Sequence, residues 1–317
     1  MKAWLWERYG GPEALRLADA PTPEPQPSHV LVRVMAASVN AADWHSMRGK
    51  PSFSRLTLGL LRPKHRSLGV DVAGTVGSVG ADVTAFAHGD EVYANLLEHG
   101  YGGFAEHVSV PVDAVARKPA DLSFAEAAAV PMAAGTALQG LRHHGPIGEG
   151  GRVLVNGGSG GVGSFAVQIA RSFGPTLTVV TSPKNLDLVE RLGADRVIDY
   201  TTTDFTTEGE RYDLILDTVG NRSVSDLRRA LAAGGKAAVT GFTNMRNMLG
   251  VTFRGGKDVT QVSAHVGARE LDELSALIAA GHVRPVIDRT YGFDEIPAAI
   301  AYVEQGHARG KVVVTVP

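Results

Sequence analysis

Hydrophobic and polar positions follow one pattern in the first part of the chain and another in the middle. Before Ser123, runs such as HVLVRVMAASV (residues 29–39) alternate apolar and polar side chains between Gly, Pro and Asp turns, which is typical of β-strands. After Ser123, alanine-rich helical stretches alternate with apolar runs such as YDLILD (residues 212–217). The first pattern predicts a small barrel-like domain, and the second predicts a parallel sheet whose strands are connected by helices.

The change of pattern at Ser123, and its reversal after Ser263, predict two domains. Ser123 followed by Glu126 fits a capping box, which marks the start of a helix. We expect residues 1–123 and 265–317 to form one domain, and residues 124–264 to form a doubly wound nucleotide-binding domain with a six-stranded parallel sheet. A length of 317 residues, of which 44% are hydrophobic, is sufficient for two cores.

The stretch RVLVNGGSGGVGSFAVQIAR (residues 152–171) joins a predicted strand to a predicted helix through a cluster of glycines. Its spacing fits G-x-G-x-x-G, in which the glycines allow a sharp turn, close approach of the backbone to a pyrophosphate, and tight packing of helix on strand. The N-terminus of such a helix favours the negative charge of the diphosphate. The predicted dinucleotide contacts are Gly158, Ser159, Gly160, Gly161, Val162 and Gly163.

The residues after the next predicted strand indicate which dinucleotide is bound. An acidic residue about 20 positions after the glycine turn would bind the adenosine ribose of NAD. None stands between Gly163 and Asp187, and Ser182 and Lys184 follow the strand instead. A hydroxyl and a cation suit the 2′-phosphate of NADPH, so we predict NADPH rather than NADH. An ordinary solvated loop is the alternative role of these two residues.

Composition limits the partners that the chain can have. The net charge is -2 with both signs intermixed, which argues against nucleic acid and against a membrane surface. The first residues lack the apolar run of a signal peptide, and we therefore expect a cytoplasmic protein. The absence of Cys excludes disulfides and Cys-based zinc sites, and the adjacent His143 and His144 would point apart on a helix. The expected partner is a small molecule.

Five segments spread along the whole chain carry a family resemblance: SVNAADWHSMRG (38–49), GVDVAGTVGSVG (69–80), AAAVPMAAGTALQGL (127–141), NGGSGGVG (156–163) and GHARGKVVV (306–314). With them the chain resembles the zinc-free quinone oxidoreductases of the medium-chain dehydrogenase/reductase superfamily, the zeta-crystallin-like group. The resemblance implies a GroES-like substrate domain built from the N-terminal part and the C-terminal tail. It also implies a Rossmann NADPH-binding domain inserted between them, with the active site in the cleft.

The resemblance also bears on metal binding and on the reaction. In zinc-dependent relatives a Cys, a His and a Glu hold the catalytic metal, and the matching positions here are Asn40, Val70 and Asp71. Neither Asn nor Val replaces a thiolate or an imidazole as a strong zinc ligand, so we expect no metal. The implied reaction is hydride transfer from NADPH to a quinone or an α,β-unsaturated carbonyl compound. A non-catalytic NADPH-binding protein of the crystallin kind and a metal-free alcohol dehydrogenase or carbonyl reductase stay open as alternatives.

Several residues acquire candidate roles from the resemblance. Asn40 would donate a hydrogen bond to the substrate oxygen or to the cofactor ribose, and a turn-forming Asn at a strand end is the alternative. Thr136 would contact the nicotinamide half of the cofactor, unless its hydroxyl only bonds the helix backbone. Tyr200 would lie near the adenine end, unless it is a buried strand-end tyrosine. The predicted cofactor contacts outside the glycine turn are Asn40, Thr136, Ser182, Lys184, Tyr200, Val219, Gly241, Phe242 and Lys311.

Two further segments carry expectations. Residues 46–66 show no clean periodicity, and we expect a loop that borders the ligand cleft. Asp43, just before this segment, is expected to be structural. The segment GKAAVTGF (235–242) looks like an edge strand, and a mobile-looking stretch (244–256) follows it. This arrangement resembles the dimer-forming edge of the family and implies a homodimer.

Overall fold

A computed structural model describes residues 1–143 and 148–317 of the chain. The predicted orientation of His143 and His144 lies outside the described residues, because neither side chain is covered. The described chain divides into two compact units. The first comprises Met1–Met132, His265–Ala279 and Ile287–Pro317, and the second comprises Ala133–Ala264 and Ala280–Val286.

Most strands of the first unit are antiparallel. Its described residues form a two-stranded sheet, β1–β2, and a seven-stranded sheet in the order β14-β15-β3-β4-β5-β7, in which β6 also pairs with β3. Numbered along the chain, these strands are β1 (Lys2–Trp6), β2 (Leu15–Asp19), β3 (His29–Val39), β4 (Asp71–Val79), β5 (Glu91–Asn95), β6 (His107–Pro111), β7 (Val115–Arg117), β14 (Ile287–Gly292) and β15 (Lys311–Thr315).

The alternation along β3 explains why the strands of the first unit close around a core. Val30, Val32 and Val34 of β3 are fully buried, whereas Arg33 between them is exposed. Because successive side chains of a strand point to opposite faces, this pattern directs one face into the core. The helices that accompany this sheet are α1 (Ala41–Arg48), α2 (Arg55–Leu58), α3 (Phe124–Ala128), α9 (Ala268–Ala279) and α10 (Ile296–Glu304).

The second unit is a parallel sheet with helices. Within the described part of the chain its six strands lie in the order β10-β9-β8-β11-β12-β13, and every pair is parallel. The prediction of a doubly wound parallel sheet is thereby confirmed. The strands are β8 (Arg152–Asn156), β9 (Thr176–Thr181), β10 (Arg196–Asp199), β11 (Tyr212–Asp217), β12 (Leu231–Val239) and β13 (Val259–Gln261), and the helices are α4 (Pro131–His143), α5 (Gly161–Ser172), α6 (Leu186–Arg191), α7 (Val224–Ala230) and α8 (Met245–Arg254).

Strand order determines where this second unit can bind a ligand. The chain progresses from β8 to one side of the sheet and returns to the other side at β11, so the direction of winding reverses between these two strands. In open parallel sheets, ligands bind at the carboxyl ends of the strands beside such a reversal. The glycine turn follows β8 directly and therefore lies at this position.

Three expectations about local structure differ from what the structure shows. Residues 46–66 are not a single loop, because α1 extends to Arg48 and a 3₁₀ turn with α2 follows between Ser52 and Leu58. These helices are too short to produce a clear period, and Gly49 (φ 59°) separates them. Strand β12 is not at the edge of the sheet, since β13 pairs with it from Ala237 to Val239. The stretch expected to be mobile contains α8, which Asn244 caps by accepting the Asn247 N–H at 2.8 Å.

Among the described residues, no helix has both the length and the apolar character needed to cross a bilayer.

Candidate active site

The three glycines of the turn between β8 and α5 differ in what surrounds them. A Cβ atom at Gly158 would lie 2.1 Å from Cγ1 of Val179, and one at Gly163 would lie 2.1 Å from the carbonyl oxygen of Gly157. Packing alone therefore requires glycine at both positions. At Gly160 a Cβ would meet nothing nearer than 3.5 Å. The protein itself does not require glycine there, which fits a backbone that a diphosphate approaches closely.

The hydroxyl group of Ser159 in this turn accepts two hydrogen bonds and donates none to the described residues. Its Oγ accepts a hydrogen bond from Oγ1 of Thr181 at 2.8 Å and another from Nδ2 of Asn185 at 2.9 Å. Because a hydroxyl has one hydrogen to donate, Ser159 can still donate to a phosphate oxygen. Sequence analysis found Ser159 but missed Thr181 and Asn185, which orient it. The available signal was a polar residue at the end of the buried run LTVVT.

The residues predicted to select NADPH, Ser182 and Lys184, follow the carboxyl end of β9. Ser182 is half-buried, and Lys184 is exposed and forms no ion pair within the described residues. The backbone N–H of Tyr200 donates to the carbonyl oxygen of Thr181 at 3.2 Å, which brings Tyr200 next to this corner of the sheet. The side chain of Tyr200 is 57% exposed, so the alternative of a buried tyrosine is wrong.

Asn156 and Asp217 end the two strands at the reversal of the sheet, and sequence analysis missed both. They are paired in register, and Nδ2 of Asn156 donates to Oδ1 of Asp217 at 2.8 Å. The same oxygen accepts the N–H groups of Val219 at 3.0 Å and Gly220 at 2.9 Å. Burial raises the pKa of Asp217. A polar residue at the end of each of two buried apolar runs was the signal that could have found the pair.

These contacts place the remaining cofactor candidates of the second unit. Asp217 fixes the turn that contains Val219, and its carbonyl oxygen accepts the N–H of Thr240 at 2.9 Å, directly before Gly241. Val219 and Gly241 therefore lie on neighbouring turns at the same edge of the sheet. Phe242 packs against the core of this unit, and Thr136 is buried on α4 with 5% exposure.

In the first unit, Asn40 directly follows β3 and is the N-cap residue of α1. Its backbone N–H donates to Oδ2 of Asp43 at 2.8 Å, and Oδ1 of Asp43 accepts the N–H of Gly69 at 3.0 Å. Asp43 thus joins the start of α1 to the segment before β4, which agrees with the structural role expected of it. The backbone of Asn40 is extended, as an N-cap requires.

The side chain of Asn40 belongs to a buried polar cluster, which we define as Ser38, Asn40, Asp71, Asn95 and Lys311. Nδ2 of Asn40 donates to Oδ2 of Asp71 at 2.8 Å, and its Oδ1 accepts from Nζ of Lys311 at 2.5 Å. Asp71 also accepts from Ser38 at 3.0 Å and from Asn95 at 2.8 Å. Lys311 is 3% exposed and lies 3.8 Å from Asp71. The catalytic role predicted for Asn40 and the cofactor contact predicted for Lys311 stay predictions.

Comparisons with known proteins agree with this geometry. Residues 26–120 match the alcohol dehydrogenase GroES-like domain, and residues 192–314 match the zinc-binding dehydrogenase family. The mouse mitochondrial NAD(P)H oxidoreductase RTN4IP1 is 34% identical, over 100% of this chain and 89% of that protein. The chain belongs to the medium-chain dehydrogenase/reductase superfamily. Both the resemblance and the expected GroES-like fold are thereby confirmed.

Two further members of the superfamily are similar over nearly the whole chain. A chloroplastic NADPH-dependent alkenal/one oxidoreductase from Arabidopsis thaliana is 35% identical, over 99% of this chain and 79% of that protein. The solved structure of the quinone oxidoreductase from Coxiella burnetii superposes with a TM-score of 0.88 at 30% identity, covering 100% of this chain and 99% of that one. These similarities lie in the quinone oxidoreductase group of the medium-chain dehydrogenases/reductases.

In this medium-chain dehydrogenase/reductase, the positions that match the zinc ligands of other members have a different chemistry. Val70 is apolar and fully buried, and the ammonium group of Lys311 bonds to Asn40 and faces Asp71. Elsewhere in the described chain, no three His, Asp or Glu side chains come together in an arrangement suited to a metal ion.

Burial is the main cause of the pKa shifts of the ionisable groups in and around the buried polar cluster. Burial raises the pKa of Asp71 and lowers the pKa of Lys311, while their mutual attraction offsets part of both shifts. Burial also raises the pKa of Asp43 to about 7, against the two backbone N–H groups that favour its charged form. Asp43 therefore changes its charge close to neutral pH.

The pKa of Asp43 predicts a pH-dependent stability. The folded chain holds this proton up to about pH 7, whereas the unfolded chain releases it near the ordinary value of 3.8. The contribution of Asp43 to the free energy of unfolding is therefore fully present below about pH 3.8. It is lost as the pH rises from there to about 7, by no more than ~1.4 kcal/mol per pH unit. In urea titrations between about pH 5 and pH 8, the stability of the wild type relative to Asp43→Asn should fall and then level off.

Asp82→Asn, the same substitution at an exposed carboxylate, provides the control. A constant difference between the wild type and Asp43→Asn would contradict the assignment.

The Lys311–Asp71 pair predicts a second stability effect. Lys311→Met leaves the carboxylate of Asp71 buried without a counter-charge, which should lower the free energy of unfolding by about 3–5 kcal/mol. Adding Asp71→Asn removes the remaining charge, so the double variant should lose clearly less than the sum of the two single variants. Urea unfolding of the four proteins measures this, with the exposed Lys236→Met as control. Additive losses would show that the two charges do not interact.

Proposed function

We propose that the protein is an NADPH-dependent reductase that transfers hydride to quinones or α,β-unsaturated carbonyl compounds without a metal. The names of the similar Arabidopsis and Coxiella proteins support these two acceptor classes. The observation that carries the metal-free part is Lys311, whose ammonium group lies 2.5 Å from Oδ1 of Asn40 and 3.8 Å from Oδ2 of Asp71. A metal cation at this position would meet the ammonium group of Lys311 and be repelled by it.

The second unit offers groups that suit a nicotinamide dinucleotide. The N-terminus of α5 and the free hydrogen of Ser159 would bind the diphosphate, and the turns that carry Val219 and Gly241 would border the reactive half. The bound cofactor supplies the hydride. The chain supplies position, because each of these groups is held by backbone or by buried partners such as Asp217.

In the first unit, Asn40 would donate a hydrogen bond to the substrate oxygen as negative charge develops there. Its Oδ1 already accepts from Lys311, and this charged partner polarises the amide and strengthens its N–H groups as donors. One amide hydrogen is used by Asp71 at 2.8 Å, and the other only approaches Ser38 at 3.4 Å. The second hydrogen is the one available to a substrate. With no Lewis acid, an acceptor that is already electron-poor is required.

A substrate panel tests the proposed reaction. NADPH consumption should be rapid with a small quinone or an enone, and slow with a saturated aldehyde, and dialysis against a chelator should leave these rates unchanged. Gly160→Ala serves as the control, since the protein has room for the added Cβ atom, which would obstruct the close approach expected of the diphosphate. It should weaken NADPH binding without lowering stability. NADPH binding without turnover of any acceptor would favour the non-catalytic alternative, and loss of activity on metal removal would refute the proposal.

The preference for NADPH over NADH is part of the same proposal. Lys184 is exposed and has no ion-pair partner within the described residues, so its ammonium is available to a 2′-phosphate. The half-buried Ser182 lies two positions earlier and can donate a hydrogen bond. One charge-assisted and one neutral hydrogen bond predict a preference on the order of tens to hundreds-fold.

Kinetics with both cofactors test this preference. Lys184→Ala should raise the Michaelis constant for NADPH about ten-fold and leave that for NADH nearly unchanged, because only NADPH has the phosphate. Ser182→Asp should invert the preference by repelling the phosphate and accepting from the ribose. Lys236→Ala, another exposed lysine, is the matched control. Equal losses with NADH and NADPH would mean that Lys184 only supports the loop.

We also propose that the protein is a homodimer that forms through the second unit. Strand β13 ends the described sheet on one side, and the neighbouring helix α8 exposes Met245 (47%), Leu249 (44%) and Phe253 (79%). Their spacing of four residues sets them along one face of the helix, which suits burial against a second copy.

Light scattering at micromolar concentration tests the homodimer. The wild type should have twice the chain mass, and Phe253→Asp should shift it towards the monomer. Leu61→Asp, which changes an equally exposed side chain of the first unit, should leave the mass unchanged. A monomeric wild type would contradict the proposal.

The cytoplasmic location stays part of this proposal. Similar proteins are named mitochondrial in mouse and chloroplastic in Arabidopsis thaliana. Fluorescence imaging of the tagged protein in its own cells tests this location, and a signal confined to an organelle would contradict it.

A further inference from the structure

The segment between α1 and β4 exposes several large apolar side chains, and we refer to residues 53–66 as the leucine loop. Phe53 is 55% exposed and Leu56 is 73% exposed on its helical part. Leu60 and Leu61, at its tip, are 66% and 88% exposed. Single exposed apolar residues are ordinary in soluble proteins. Four of them within nine positions are typical of a surface that binds another molecule.

Backbone hydrogen bonds hold the tip of the leucine loop in place. The N–H of Gly59 donates to the carbonyl oxygen of Arg55 at 2.8 Å, and the N–H of Lys64 donates to that of Leu58 at 2.8 Å. The hydroxyl of Tyr9 donates to the carbonyl oxygen of Gly59 at 2.5 Å. The two leucines between these anchors are therefore presented outwards by an ordered turn. Turning Leu60 and Leu61 towards the protein would break these hydrogen bonds.

The charged residues within the leucine loop have one sign. The chain contains no Asp or Glu from residue 44 to residue 70. Lys50, Arg62, Lys64 and Arg66 are exposed, and none of them forms an ion pair in the part of the chain that the structure describes. The whole-chain charge of -2, which argued against a membrane surface, conceals this local excess of cations.

An apolar tip surrounded by unpaired cations is complementary to an anionic lipid surface. Apolar side chains enter the boundary between headgroups and acyl chains, and Lys and Arg remain at the level of the lipid phosphates. A second copy of the chain is a poorer occupant, because symmetric pairing of the leucine loops would bring the cations of both copies together.

We propose that the leucine loop docks the protein reversibly on membranes that contain anionic lipids. Leu60 and Leu61 enter the interface, and Arg62, Lys64 and Arg66 contact the headgroup phosphates. This inference does not depend on the proposed reaction.

Co-sedimentation of the full chain with vesicles tests the proposal. The wild type should bind vesicles of phosphatidylcholine with phosphatidylglycerol and bind pure phosphatidylcholine far more weakly, and added salt should release it. Replacing both leucines, Leu60→Ser with Leu61→Ser, should lower partitioning about ten-fold or more. Reversing two charges, Arg62→Glu with Lys64→Glu, should lower it more than about 25-fold, since each cation contributes roughly five-fold.

Matched changes outside the leucine loop serve as controls. Val79→Ser removes an exposed apolar side chain at the end of β4, and Lys236→Glu with Lys257→Glu reverses two exposed charges of the second unit. Neither should lower partitioning more than two-fold. Thermal unfolding shows whether each variant is folded.

Three results would overturn the proposal. The first is a wild type that fails to bind the anionic vesicles at low ionic strength. The second is unchanged vesicle binding in the folded leucine and charge variants. The third is loss of the dimer mass in the leucine variant, because the leucine loop would then be covered by a second copy. Loss of vesicle binding with normal NADPH binding supports docking whether or not the proposed reductase activity is found.

Discussion

The ion pair between Lys311 and Asp71 is the interaction on which the first unit depends. A buried carboxylate is tolerated only when other groups compensate its charge, and Asp71 receives one cation and several hydrogen bonds. These partners come from β3, β5 and β15, so the carboxylate joins three other strands to β4 through side chains as well as through the sheet. Asn40 takes its orientation from the same pair, because its amide bridges the two charges.

The second unit is organised by backbone geometry rather than by charge. In its glycine turn, an added side chain would collide with the protein at Gly158 and at Gly163. At Gly160 the protein leaves room for a Cβ atom. At the carboxyl edge of its sheet, Oδ1 of Asp217 accepts hydrogen bonds from Asn156 and from two turn amides, whereas its buried Oδ2 accepts none from the described residues. Because hydrogen bonds hold these turns before any ligand binds, the binding of an anionic ligand would require little reorganisation of them.

Local signals made most of the second unit predictable from sequence. The strand–turn–helix around Gly158 and the apolar runs of the buried strands are each contained within about twenty residues. Hydrophobic periodicity predicts helices and strands from segments of this length. The partners of Ser159 and Asp217 were missed because strand pairing brings them from other parts of the chain. Lys311 and Asn40 are 271 positions apart, and only the pairing of β15 with β3 brings them together. Strand β13, with three residues, is too short to produce a pattern of its own.

The position of β15 in the first unit has a consequence for biosynthesis. During translation the second unit leaves the ribosome before β15 does, since β15 begins at Lys311. Until then Asp71 has no counter-charge, and β3 has an open edge where β15 will pair. The first unit is therefore the last to be completed although it contains β1, and the open edge of β3 is available for aggregation until β15 has been synthesised.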